Sequence, residues 1–211
     1  MIKYFVRTTG ERQLDESYNQ IEYELLIDKE HKPVKSFIEQ LEIMNNYDSV
    51  LLEDDLILCK NFKERIEEVI NKNPNIIINF FNAPTIYQDI KIDINFSFQQ
   101  CRYFPKGSCN VFINELKPYI NAKKVCPCLN IIGRKNDLKI MQYRPCLVQH
   151  LDYDSLVGNN AYGNRITPYF IDYLEELNIT YDEAGLEENK LKLIELMNKN
   201  VKGIDNKWNQ Y

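Results

Sequence analysis

No apolar run in this sequence approaches the ~20 residues a membrane-spanning helix requires, so no membrane span is expected. The opening residues MIKYFVRTTG carry too few apolar side chains before Arg7 to form the core of a secretory signal, and a cytoplasmic protein is the expectation. Positive charge is not in excess. The formal net charge of −5 lacks the electrostatic footprint by which proteins grip a phosphate backbone, which disfavours nucleic acid as a partner. The basic pairs Lys123-Lys124 and Arg134-Lys135 are only local patches. There is no long run of one charge sign, no internal repeat and no low-complexity tract. Histidine is scarce: His31 sits in a charged loop, and His150 follows an apolar run. Six cysteines are present, and in a chain with no secretory signal they are expected as reduced thiols.

What is present is enough for one domain, with room for an appendage, in 211 residues. Residues 2–7 and 21–27 read as strands, and 34–45 as a helix with Val34, Phe37, Ile38, Leu41 and Met44 on one face. Ser49–Leu52 is a short apolar run that suits a buried strand. A helix is expected from Asn61 to about 72, ended by Asn73-Pro74, then a strand over 75–81. The order β-loop-β-α-β-α-β points to a layered α/β sheet. Further on, 90–98 alternate as a strand or hairpin arm. Residues 107–113 read as a turn into a strand, with a helix near 114–121, and 138–143 as a strand. Asn159, Asn160, Gly163 and Asn164 mark a loop, 167–177 and 186–200 are amphipathic helices, and Trp208 lies in a polar tail.

The densest chemical signal is Glu53-Asp54-Asp55, directly after the buried strand. Like charges this close raise one another's pKa, a cost that a divalent cation removes. Mg²⁺ and Mn²⁺ prefer carboxylate oxygens together with substrate phosphates. The carboxyl edge of an open α/β sheet is also where ligands usually bind. The competing interpretation is a solvated acidic turn.

The segment SVLLEDDLILCKNF resembles the strand and acidic motif of GT-A glycosyltransferases, in particular the lipopolysaccharide-type family 25 enzymes and small phage and bacterial relatives. Three further segments fit in order: the first strand ending in Arg7-Thr8-Thr9 with Arg12, then FPKGSCNVFI, then PCLVQHLDYDSLVG. The resemblance covers roughly residues 1–158. It implies a GT-A-like, Rossmann-like mixed sheet flanked by helices over 1–158, with 159–211 as a C-terminal helical extension and tail. It implies Asp55 as the principal ligand of Mn²⁺ or Mg²⁺ with Glu53 also at the metal, Glu53 and Asp54 contacting the ribose or metal-bound water and shaping the site, and His150 approaching the metal or the diphosphate from the far side. Arg7, Thr8, Thr9 and Arg12 would face the nucleotide, and Gly107 and Ser108 would lie behind the donor. The implied activity is transfer of a sugar from a nucleotide sugar, with UDP the expected carrier, to a hydroxyl on a glycan, lipopolysaccharide or other acceptor. Modified DNA stays among the acceptors, and a homodimer among the assemblies.

One departure stands out. Where relatives carry an acidic general base, this chain has Cys126–Gly133, with Asn130 at the expected position, and Asn cannot act as a base. A retaining mechanism, recruitment of Asp89 or Asp137, or loss of activity are the alternatives. A catalytically idle glycan- or nucleotide-binding module and a metal-dependent nucleotidyltransferase therefore stand beside the transferase reading. Cys126, Cys128, Cys146 and His150 form a rival zinc set, although their spacing is unlike a zinc knuckle.

Overall fold

The computed structural model describes residues 1–81, 91–93, 96, 99–151, 167 and 169–200. In chain order the elements are β1 (Ile2–Thr8), β2 (Tyr23–Ile27), α1 (Pro33–Met44), β3 (Asp48–Glu53), β4 (Leu56–Leu58), α2 (Phe62–Lys72), β5 (Ile77–Asn79), β6 (Lys91–Asp93), β7 (Cys101–Phe104), α3 (Asn110–Leu116), α4 (Val125–Lys135), β8 (Ile140–Gln142), β9 (Val148–His150), α5 (Ile171–Glu176) and α6 (Glu183–Asn200). Short 3₁₀ turns occupy Glu16–Gln20 and Lys117–Tyr119.

Among the described residues seven strands form the central sheet in the order β2-β1-β3-β7-β5-β8-β6, and β4 and β9 form a separate ribbon. β2, β1 and β3 are mutually parallel, as are β5 and β8. β7 runs antiparallel between β3 and β5, and β6 runs antiparallel to β8. The fold is therefore a mixed, mostly parallel α/β sheet of Rossmann-like character, flanked by helices.

Strand periodicity assigns each side chain to one of two cores. On one face Phe5, Leu51, Phe104, Ile77 and Ile140 meet α1, α3 and α4 through Phe37, Leu41, Phe112, Leu129 and Ile132. On the other, Tyr4, Val6, Val50, Leu52, Tyr103, Ile78 and Met141 meet α2, α5 and α6 through Phe62, Ile66, Leu174, Leu193 and Met197. The sheet is thus the middle of three layers. Each fully buried Leu or Phe contributes about 1.5–3 kcal/mol relative to exposure. Emptying the centre of either core, for example by Leu51→Ala, costs about 2–5 kcal/mol.

The helices that match the expected spacing do so for local reasons. Pro33 opens α1 at its first turn, where the missing N–H has no intrahelical partner. Phe62, Ile66, Val69 and Ile70 line the buried face of α2. One expectation differs. The strand expected over 107–113 is the turn into α3, whose Phe112 and Leu116 lie one helical turn apart in the core. The Cys126–Gly133 stretch lies wholly within α4, with Pro127 tolerated because it falls in the first turn. Asp89, the loop containing Asn159, Asn160, Gly163 and Asn164, and the tail with Trp208 lie outside the described residues. No helix among the described residues is long and apolar enough to cross a membrane.

Candidate metal centre

β3 delivers Glu53 as its last residue, at the carboxyl edge of the sheet. The chain then bends through Asp54 and Asp55 and re-enters extended structure as β4. β4 pairs antiparallel with β9, with Leu56 opposite His150. The Leu151 N–H donates to the Asp55 carbonyl oxygen at 2.7 Å, closing this ribbon against the triplet. The ribbon brings His150 Nε2 to 3.4 Å from Asp55 Oδ2.

Glu53, Asp55 and His150 each offer a ligand atom, and these atoms lie within 4.8 Å of one another. Among the described residues this is the group of His, Cys, Asp and Glu side chains placed to hold a metal ion. His150 is buried, with 4% of its side chain exposed, and neither ring nitrogen has a hydrogen-bond partner among the described residues. A buried imidazole without a hydrogen bond is expensive, and an imidazole beside two carboxylates suits a divalent cation. The residues present therefore fit a metal with mixed oxygen and nitrogen ligation.

Asp54 has a different part. Its carboxylate turns to β1, where the Thr8 hydroxyl donates to Oδ2 at 2.5 Å. Thr8 Oγ1 in turn accepts from the Gly10 N–H at 2.8 Å, and Gly10 has the positive φ of 84° that the tight reversal requires. Burial raises the Asp54 pKa, opposed by the Thr8 hydrogen bond; the neighbouring Asp55 charge adds to the rise and Arg12 opposes it. Arg12 spans both acids: its Nη1 lies 2.7 Å from Asp55 Oδ2 and 3.4 Å from Asp54 Oδ1.

The remaining sequence-predicted residues divide between the two edges of the sheet. Arg7 is the direct neighbour of Glu53 in the β1–β3 ladder, but its guanidinium donates to the Pro33 carbonyl at 3.3 Å and lies over the Phe37 ring. Thr9 follows Thr8, and its hydroxyl is buried without a partner among the described residues. Gly107 and Ser108 are not part of the cluster. β7 is antiparallel to β3, so Phe104 pairs with Ser49 and the loop after it falls at the start of β3. Gly107 donates its N–H to the Asn45 carbonyl, and Lys106 donates its own to Asp48. At ~3.3 Å per residue, that places them roughly 16 Å from Glu53. Asn130 sits on α4, and its Oδ1 accepts from the Phe96 N–H at 2.6 Å. Asp137 follows α4, before β8, which is parallel to β5, so it too lies at the edge opposite the triplet.

The rival zinc set is not assembled. Cys128 packs into the α1–α3–α4 core, Gln99 contacts the Cys126 thiol at 3.4 Å, and Cys146 bridges to Phe170. None of the six cysteines is joined in a disulfide.

Two residues that sequence reasoning did not single out support the cluster. Tyr18, buried in the 3₁₀ turn, donates its hydroxyl to the Glu53 carbonyl oxygen, and its pKa is raised by burial and then by the Asp55 charge. Arg102 is buried on β7 opposite Leu51, two residues before Glu53, donates to the Phe96 carbonyl at 3.0 Å, and its pKa is lowered to about 10, chiefly by burial. Its signal was present in CRYF, an arginine inside an otherwise apolar strand. Tyr18, in a polar loop, left none. A surface groove of about 610 Å³ lies elsewhere, lined by residues including Asp15, Asn19, Lys60 and Asn61, and contains no member of the triad.

No family model matches the sequence. No curated protein matches it either. Among solved structures, A197 from STIV, a viral protein, is similar at 12% identity with a TM-score of 0.46, over 73% of this chain and 86% of that one.

Proposed function

We propose that the protein is a divalent-metal-dependent transferase of the GT-A kind, moving a sugar from a nucleotide sugar to a hydroxyl acceptor. The observation that carries the metal half of this reading is the Glu53–Asp55–His150 cluster, with a buried, hydrogen-bond-free imidazole facing carboxylates at the sheet's carboxyl edge. The transferase half rests on the resemblance of SVLLEDDLILCKNF and the segments in step with it. A cation bound there would supply Lewis-acid stabilisation of a leaving diphosphate. The chain's own residues hold the site: Glu53 and Asp55 present oxygens, His150 a nitrogen, and Thr8 fixes Asp54 so that the bend keeps its shape. Tyr18 ties the Glu53 carbonyl to the 3₁₀ turn and anchors the end of β3.

A second reading, a glycan- or nucleotide-binding module without turnover, is favoured by Asn130. This residue stands where a base is expected and is engaged with the Phe96 backbone. The experiment that separates the two is hydrolysis of a panel of UDP-sugars with and without Mn²⁺, run beside calorimetric titration of UDP. Mn²⁺-dependent release of UDP supports the transferase. Mn²⁺-dependent UDP binding without release supports the module. Release of pyrophosphate from nucleoside triphosphates would move the assignment to nucleotidyl transfer. Absence of any Mn²⁺ dependence removes the metal-centred reading.

A further inference from the structure

We propose that Arg12 is a resident counter-cation that occupies the acidic site until a metal ion displaces it, and so sets the site's affinity for metal. This inference deepens the metal-centre reading above and rests on it. Asp55 Oδ2 is the atom at issue. It is 2.7 Å from the Arg12 guanidinium and 3.4 Å from His150 Nε2, so the arginine holds the carboxylate oxygen that faces the imidazole. The same guanidinium nitrogen reaches Asp54 Oδ1 at 3.4 Å. A divalent ion and a guanidinium cannot share one carboxylate oxygen at close range without strong repulsion, because these groups are largely withdrawn from water. The side chains of Arg12, Asp54 and Asp55 are only 15%, 9% and 10% exposed. At such sites charge–charge energies are far larger than on an open surface.

The backbone leading into Arg12 is held by contacts that do not involve the Arg12 side chain. Thr8 Oγ1 accepts from the Gly10 N–H and donates to Asp54, which pins the start of the loop to the acidic bend. Arg12 follows this pinned turn on a long, flexible stem, so release of its head group requires no movement of β1. In the metal-free protein the arginine offsets two crowded carboxylates, which favours folding. In the metal-bound protein it is a competitor. These two effects have opposite sign, and that separates this role from a purely structural one.

The test uses the whole chain and Mn²⁺ as the probe. Isothermal titration gives Mn²⁺ affinity for the wild type, Arg12→Gln, Arg12→Lys and Asp55→Asn, and thermal melts are recorded for each with and without Mn²⁺. Arg12→Gln is expected to bind Mn²⁺ about tenfold more tightly than the wild type, within the usual range of coupling between two sites. It should also melt lower in the absence of Mn²⁺. Arg12→Lys, which keeps the charge, should return the affinity to about that of the wild type. Arg12→Gln binding that equals or falls below the wild type, while Asp55→Asn loses the ion, overturns the competition and leaves the metal centre standing. Absence of Mn²⁺ binding in every form overturns both. If Arg12→Gln does not fold, the wild type decides alone. Hydrogen exchange at the Arg12 guanidinium, followed by nitrogen-15 NMR and assigned with Arg12→Lys, should quicken on saturation with diamagnetic Mg²⁺. Unchanged exchange on saturation overturns the proposal.

Discussion

β3 carries carboxylates at both ends, and the two ends are treated differently. At its start, Asp48 Oδ1 accepts from the Tyr103 hydroxyl and the Lys106 N–H, both at 3.1 Å. Asn45 and Gly107 complete a hydrogen-bonded turn around it. At the other end, Asp54 and Asp55 crowd together with Glu53, and Arg12 and a histidine without a hydrogen bond among the described residues face them. The first arrangement is answered by neutral donors and is complete without a ligand. The second concentrates three consecutive acidic residues, with a guanidinium and an imidazole against Asp55. Acid at the start of the strand therefore serves the fold, whereas acid at its end is organised for a cation.

The comparison can be broken most directly by Asp55→Ala, which is expected to abolish Mn²⁺ binding in calorimetric titration; unchanged binding would make the two ends equivalent. His150→Ala comes next. Loss of its nitrogen should weaken Mn²⁺ by roughly tenfold, about 1.4 kcal/mol of binding, in the same titration. Asp48→Ala sharpens the contrast from the other side. Two lost hydrogen bonds at about 1 kcal/mol each should lower the melting temperature by several degrees, with Mn²⁺ affinity unchanged. The smallest effect concerns the thiols. Burial pushes Cys59 and Cys109 up to about 12, so at pH 8 they remain protonated and inaccessible. Half-buried Cys126 should be the first to react with iodoacetamide, and mass mapping of the labelled positions checks the order.

Much of the layered fold was legible because periodicity reports which face a residue occupies. Ser49–Leu52, the α1 stripe from Val34 to Met44 and the α2 stripe from Phe62 to Ile70 all follow from it. Periodicity does not report strand direction. β7 went unread, and Gly107 and Ser108, expected behind the donor, are carried by the reversal of β7 to the edge opposite the acidic triplet. The helix carrying Asn130 was not assigned from the sequence, because cysteines and a proline obscure the stripe of Val125, Cys128, Leu129 and Ile132 on α4. The acidic triplet and His150 were visible as strand-end residues. What joins them, the three-residue ribbon of β4 with β9, is too short to leave a pattern. Tyr18 and Arg102 act through tertiary contacts that no local spacing encodes.

The β4–β9 ribbon also bears on how the chain is held together. It brings residues roughly a hundred positions apart in sequence to one point, a loop whose closure is entropically costly in the unfolded chain. A cation gripped by Glu53, Asp55 and His150 would act there as a removable staple, restricting the open chain as a cross-link does. Such a staple makes heat resistance a function of metal concentration, rising by RT ln(1 + [M]/Kd).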